Sequence, residues 1–300
     1  MTSKAAIVGF GAVTPMGNTF METWSRLLKR QSAIKPIRRF DATLYPVTFG
    51  AEVSLHGQGP DLYEEMLQMV MKEAMADVNL RSIAAERIGV FMGGEAIRPD
   101  FTHLAQSILH EKPVPSEVWA RHLPSFPAQM LARLIGAKGP VATYSTACTS
   151  SGQALGEALL AIRRGDVDIA FAGGVDVLVH PLMVTGFSRL GALSIKNEAP
   201  ESASRPFDLQ RDGFVLGEGC GLVILASPRV VTSIGSCKGW LAGYGCSANA
   251  WRITDSPPDG RGAAQAMRNA MMDAGVTADQ VVYVNAHGTG TAQNDVSEAR

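Results

Sequence analysis

The chain has 300 residues, 46% of them hydrophobic and 18% charged, and 27 lysines and arginines against 28 acids leave a formal net charge of −1. That apolar content can build one large or two ordinary domains. The balanced charge argues against general affinity for nucleic acid or anionic membranes, and no apolar run approaches the ~18 residues of a membrane span.

The first segment, Met1-Thr2-Ser3-Lys4-Ala5-Ala6-Ile7-Val8, superficially resembles a signal peptide. Gly9, Gly11 and Pro15 interrupt it too early for an h-region, so it reads as a first buried strand. Gly9-Phe10-Gly11 invites a dinucleotide site, but Thr14 stands where the third glycine belongs and no well-placed acid closes the next strand. A helix is predicted over 69–77 and a strand over 88–94. A strand before Cys148 and a helix carrying Ala154, Leu155, Ala158, Leu159 and Ile162 follow, closing at Gly165. Leu241-Ala242-Gly243-Tyr244-Gly245 then echoes Ile7-Val8-Gly9-Phe10-Gly11. After it come a predicted helix over 263–274 and a strand over 281–287, so a duplicated α/β unit starts its second copy near 236. Short Val/Ile/Ala runs among 31 glycines indicate strands covered on both faces by helices. Ser297-Glu298-Ala299-Arg300 reads as opening helical turns with no stop signal, so the second unit is expected to be cut short.

Cys148 lies where a strand turns into a helix, followed by Thr149, Ser150 and Ser151, any of which can cap. The positive end of the helix dipole favours the thiolate, the form that acts as nucleophile. The alternative is a cysteine that simply packs. None of the four cysteines is paired at metal or dithiol spacing, and their number suits a reduced, cytoplasmic setting. His56, His103, His110, His122 and His180 share no metal spacing and are expected on the surface or in packing roles.

Thr146-Ala147-Cys148-Thr149-Ser150-Ser151 resembles the nucleophile motif of the β-ketoacyl synthases, condensing enzymes of fatty-acid and polyketide assembly, with the synthase II type as the nearest pattern. Three further segments carry the resemblance: Gly9 to Gly17, the run from Ser204 to Asp208 continuing through Arg211 to Gly219, and Asn285-Ala286-His287-Gly288-Thr289-Gly290-Thr291 with Asn294, Asp295 and Glu298. The resemblance implies an α/β, thiolase-like fold of two duplicated halves in an α-β-α-β-α arrangement. The halves would be 1–235, with Cys148, and an incomplete 236–300, with His287. It implies acyl transfer to Cys148, then decarboxylative condensation with a malonyl thioester assisted by His287. Thr289 and Thr291 match residues that hydrogen-bond the phosphopantetheine arm, though such residues also favour glycine-rich turns. Phe187 falls at an acyl-pocket position and is equally readable as a core aromatic. Glu298 is expected as a structural hydrogen-bond anchor near the site. No bound cofactor is expected, because phosphopantetheine arrives on an acyl carrier protein, and the implied assembly is a homodimer.

Two readings compete with this one: a non-condensing cysteine acyltransferase, and a non-catalytic partner subunit of a ketosynthase heterodimer. Retention of Cys148 argues against the second. The family's lysine, second histidine and glycine-rich oxyanion loop have no counterpart before Arg300. Asp61, Glu64 and Glu65 stand where basic residues often dock the carrier and are expected to repel it. Lys35, Arg38 and Arg39, or Arg189, are the substitute docking candidates. The segment 93–98 also departs from the commoner small-residue pattern, suggesting a specialised pathway. A half-built second unit would leave apolar surface exposed and the chain prone to aggregation.

Overall fold

The computed structural model describes residues 4–57, 60–94, 101–252 and 254–300, without the side chains of 60 and 101–104. Residues 95–98 and the side chain of His103 therefore lie outside the described residues.

The strands are β1 (Ala5–Val13), β2 (Lys35–Pro36), β3 (Phe49–Gly50), β4 (Ile88–Gly93), β5 (Val141–Tyr144), β6 (Ile169–Val177), β7 (Glu218–Ala226) and β8 (Gly239–Leu241). The helices are α1 (Phe20–Leu28), α2 (Pro60–Ala74), α3 (Phe101–Leu109), α4 (Ser116–Arg121), α5 (Phe126–Ile135), α6 (Ser150–Arg164), α7 (Pro181–Arg189), α8 (Val231–Ile234), α9 (Arg261–Ala274) and α10 (Ala292–Glu298). Six strands form one mixed sheet in the order β5-β4-β6-β7-β1-β8, and β2 pairs with β3 alone. β4 is parallel to β5 and β6, whereas β7 is antiparallel to both β6 and β1. β1, β4, β5 and β6 therefore point the same way, and their carboxyl ends share one edge.

Helices cover both faces of the sheet. On one, Met66, Leu67 and Val70 of α2 and Leu131 of α5 meet Val90, Phe171 and Ile224. On the other, Ala154, Ala158, Leu159 and Ile162 of α6 meet Phe91, Ala170, Ala172 and Leu225. This is the apolar stripe predicted behind Cys148. Burying Leu159 alone is worth roughly 1.5–3 kcal/mol. The α6 helix stops at Gly165, whose φ of 77° only glycine takes cheaply, with Arg163 and Arg164 favourably placed in its last turn.

Two predicted elements differ. The helix expected over 69–77 begins at Pro60, because Leu62, Met66, Val70 and Ala74 already form one buried stripe. The strand expected over 281–287 is not formed: it has no ladder partner among the described residues, and Val282 is 98% exposed. A β-branched run specifies strand only where a neighbouring strand satisfies its backbone. Among the described residues the later segment forms no sheet of its own; it adds β8 to the edge of the six-stranded sheet and lays α9 beside it.

The echoed glycines have a shared packing role. A Cβ on Gly11 would lie 2.5 Å from the Val70 carbonyl oxygen of α2, and one on Gly243 would lie 2.6 Å from that of Ala270 in α9. Gly9 and Gly245 meet Ala74 and Ala266 in the same way. Each Gly-x-Gly pair, in β1 and just past the end of β8, thus admits a helix backbone directly onto its segment.

Candidate active site

The site grows from the carboxyl edge of the sheet. After β5 the chain passes Ser145 and Thr146 to Ala147, whose φ of 52° is a left-handed conformation that costs a non-glycine residue ~1–3 kcal/mol. That turn presents Cys148 as an exposed thiol at the start of α6. Ser150 holds the turn: its Oγ accepts from Thr146 N–H at 2.9 Å and donates to the Ala147 carbonyl at 2.6 Å. Thr149 sits at the cap position without a side-chain cap, its hydroxyl bonded to the Thr146 carbonyl at 2.8 Å. The helix start rests on the sheet because Gly93 and Gly174 have no Cβ; one there would overlap Ser150 and Ser151. Cys220, by contrast, is buried in β7, where desolvation pushes its thiol far up and keeps it inert.

The second component arrives from the end of the chain. The imidazole of His287 is hydrogen-bonded to the Cys148 thiol, which raises the imidazole's pKa; desolvation opposes the shift, and the negative fields of Cys148, Glu298 and Asp295 add to it. Glu298 holds the histidine's backbone. One carboxylate oxygen accepts from His287 N–H at 2.6 Å, and the other from Gly288 N–H at 2.7 Å and from Asn294 Nδ2 at 2.9 Å. Thr289 and Thr291 follow in the same loop with their hydroxyls 2.9 Å apart.

Asp295 and Arg211 fix this loop against the segment 205–214. Asp295 is 1% exposed and accepts from Phe207 N–H at 2.6 Å and Gly290 N–H at 3.1 Å. Arg211 reaches the Asp295 carboxylate at 3.4 Å and donates to the Thr291 and Ala292 carbonyls. Gly213 N–H closes the contact on the Gly290 carbonyl at 3.1 Å. Sequence reading located both segments as signatures but missed the joint work of Asp295 and Arg211, and the part Ser150 plays in holding the Cys148 turn. A buried acid in a glycine-rich loop and an arginine in a turn were the available signals.

Phe187 stands apart. Its ring packs edge-on against Phe214 at 5.4 Å, within the cluster around Phe49, Val179 and Leu193. It connects to the His287 loop through Phe214 and its neighbour Gly213.

The expected repulsive acidic patch is partly neutralised. Arg121 of α4 pairs with Asp61 and, at 2.6 Å, with Glu64, while Glu65 accepts from Gly57 N–H at 3.1 Å. Of the basic docking candidates, Arg39 is committed to the buried carboxylate of Glu218, which also accepts from Val53 N–H. Lys35, Arg38 and Arg189 are exposed. Among the described residues no group of three or more His, Cys, Asp or Glu side chains could hold a metal, and no helix is long and apolar enough to cross a membrane.

Comparison with known proteins bears on this geometry. Residues 2–60 and 58–229 match the family described as beta-ketoacyl synthase, N-terminal domain, and residues 238–300 match beta-ketoacyl synthase, C-terminal domain. The 3-oxoacyl-(acyl-carrier-protein) synthase 2 of Synechocystis sp. is 35% identical over 99% of this chain and 75% of its own length. The protein of the same name from Staphylococcus aureus is 32% identical with the same coverage. Among solved structures, a type II polyketide ketosynthase in complex with its acyl carrier protein superposes with a TM-score of 0.90 at 31% identity, over 99% of this chain and 76% of the other. The ishigamide ketosynthase/chain length factor gives 0.85 at 27% identity, over 100% of this chain and 76% of the other.

Proposed function

This chain belongs to the β-ketoacyl synthase family, and from that premise we propose that it is a condensing enzyme of fatty-acid or polyketide assembly acting through Cys148 and His287. The observation that carries the reading is the hydrogen bond between the exposed Cys148 thiol at the start of α6 and the imidazole of His287. The Cys148 thiol gives its proton to His287, and the thiolate attacks the carbonyl of a carrier-bound acyl thioester. The Cys148 N–H at the helix start stabilises the oxyanion. The carrier's sulfur leaves as a thiol, taking up the proton. A malonyl thioester then loses carbon dioxide, and the neutral imidazole donates a hydrogen bond to the resulting enolate oxygen. The enolate carbon bonds to the acyl carbon, the bond to Cys148 sulfur breaks, and the thiolate returns.

In this reading Thr289 and Thr291 bond the phosphopantetheine arm, which the carrier brings, so no resident cofactor is required. Glu298 anchors the histidine, and Phe187 lines the acyl pocket through its packing on Phe214. The carrier approaches over Lys35, Arg38 and Arg189, with Arg39 withdrawn into its pair with Glu218. β5 is an edge strand with free backbone groups, which supports assembly of two copies through it as a homodimer. Four free cysteines fit a cytoplasmic setting.

Intact-protein mass spectrometry after incubation with an acyl-carrier thioester tests the reading. A gain of one acyl group is expected on the native chain and not on Cys148→Ser. Adding malonyl carrier should then discharge the adduct with release of a 3-oxoacyl product. An adduct that malonyl carrier leaves untouched would favour a non-condensing acyltransferase, and no adduct on the folded protein would favour a partner subunit.

A further inference from the structure

Asn294 has no role in the scheme above, yet it stands between the two acids of α10 that hold the His287 loop. Asn294 and Glu298 lie one turn apart on the same helix face. The Asn294 Nδ2 donates to Glu298 at 2.9 Å and lies 3.4 Å from an Asp295 carboxylate oxygen. Both neighbours are acceptors when ionised, so the amide must present its nitrogen to them; the hydrogen bonding itself fixes the orientation. The same Glu298 oxygen also accepts from Gly288 N–H, and the other from His287 N–H. Asp295, in turn, accepts from Gly290 N–H and Phe207 N–H. One half-buried amide therefore braces two like charges side by side, and those charges orient four backbone amides around the histidine. Asp295 is held besides by Arg211 at 3.4 Å, so the acid that depends on Asn294 is Glu298, for which the amide offsets the repulsion of its neighbour.

We propose that Asn294 is a positioning residue for His287, acting through Glu298: it locks the carboxylate in the rotamer that grips the His287 and Gly288 amides and offsets part of its charge. The inference rests on the assignment of His287 to the chemistry, but its test does not require condensation. Groups facing the imidazole are Cys148, Glu298 and Asp295, and the Arg211 guanidinium lies 3.4 Å from the Asp295 carboxylate. Removing the Asn294 donor leaves more uncompensated negative charge beside the thiol–imidazole pair, which opposes formation of the Cys148 thiolate.

The test is the pH profile of Cys148 alkylation by iodoacetamide in the full chain, which reads the thiol–imidazole pair directly. Asn294→Ala should move the profile to higher pH and lower kcat for acyl transfer about tenfold with KM unchanged, the size of a lost hydrogen bond to a charged group. Asn294→Gln, which keeps the amide, should restore most of both. On a Glu298→Gln background, Asn294→Ala should add no further shift, because the residue acts through that carboxylate. Asn294→Ser serves the same comparison if the alanine variant does not fold. An alkylation profile that superimposes on the native one, or an equal shift on the Glu298→Gln background, overturns the proposal. Native alkylation behaviour without condensation would instead count against the functional reading alone.

Discussion

His287 is subject to opposing influences on its charge. The Cys148 hydrogen bond raises its pKa and desolvation lowers it, while the fields of Cys148, Glu298 and Asp295 add to the raise. Because the folded value lies above the unfolded one, the stability this gives is fully present below the unfolded pKa. It is lost as pH rises through the folded value. Cys148→Ala removes the largest cause, so the His287 midpoint in an NMR titration should fall in that variant; an unchanged midpoint would place the source elsewhere. At this scale much could be read from sequence. A cysteine between a β-branched run and a helical stripe is a local pattern, and local patterns survive folding. What could not be read was which hydroxyl does the holding. Thr149, Ser150 and Ser151 all suit a cap, but the positive φ of Ala147 turns the chain so that Ser150 bonds back to the turn instead.

Strands and helices meet here through missing side chains as much as through present ones. Gly9→Ala would force α2 off β1, since the added methyl overlaps the Ala74 carbonyl, and no flexible side chain is there to yield. Overpacking of this kind costs ~1–3 kcal/mol or more. Gly152→Ala, inside α6 with open space around it, should instead stabilise by roughly 0.5–1 kcal/mol. Urea midpoints of the two variants should therefore move in opposite directions; a neutral Gly9→Ala would contradict the close packing. The Gly-x-Gly echo was visible in sequence, and its cause is the same contact built twice. The strand over 281–287 was misread because periodicity reports what a segment could pair with, not whether a neighbour exists. The early start of α2 was missed because Asp61, Glu64 and Glu65 obscure the stripe beneath them.

Specific contacts join the later segment to the rest of the molecule. Arg163 of α6 pairs with Asp273 of α9 at 2.8 Å and donates to the Ala242 carbonyl, and Asp273 also accepts from Tyr244 N–H. These residues lie far apart in sequence, as do Arg121 and its acids, so pairings of this kind could not be read from the chain. One consequence of the unpaired segment is solubility: Val282, Tyr283 and Val284 are 98%, 77% and 56% exposed in consecutive positions. Such a run is a template for association between chains. Val282→Lys should reduce light scattering at high concentration while leaving the urea midpoint within the ~0.5 kcal/mol expected of a surface change. Unchanged scattering would show that the segment is not the site of association.

The sheet order also governs how the chain is made. β1 leaves the ribosome well ahead of its ladder partners, β7 and β8. Roughly 200 residues separate Val13 from its partner Cys220, so at ~5–20 residues per second the nascent first strand waits about 10–40 seconds for its neighbour. Throughout that interval an apolar, glycine-punctuated strand has no edge to join. Birth of this protein thus depends on cover for β1 until β7 and β8 arrive to pair with it.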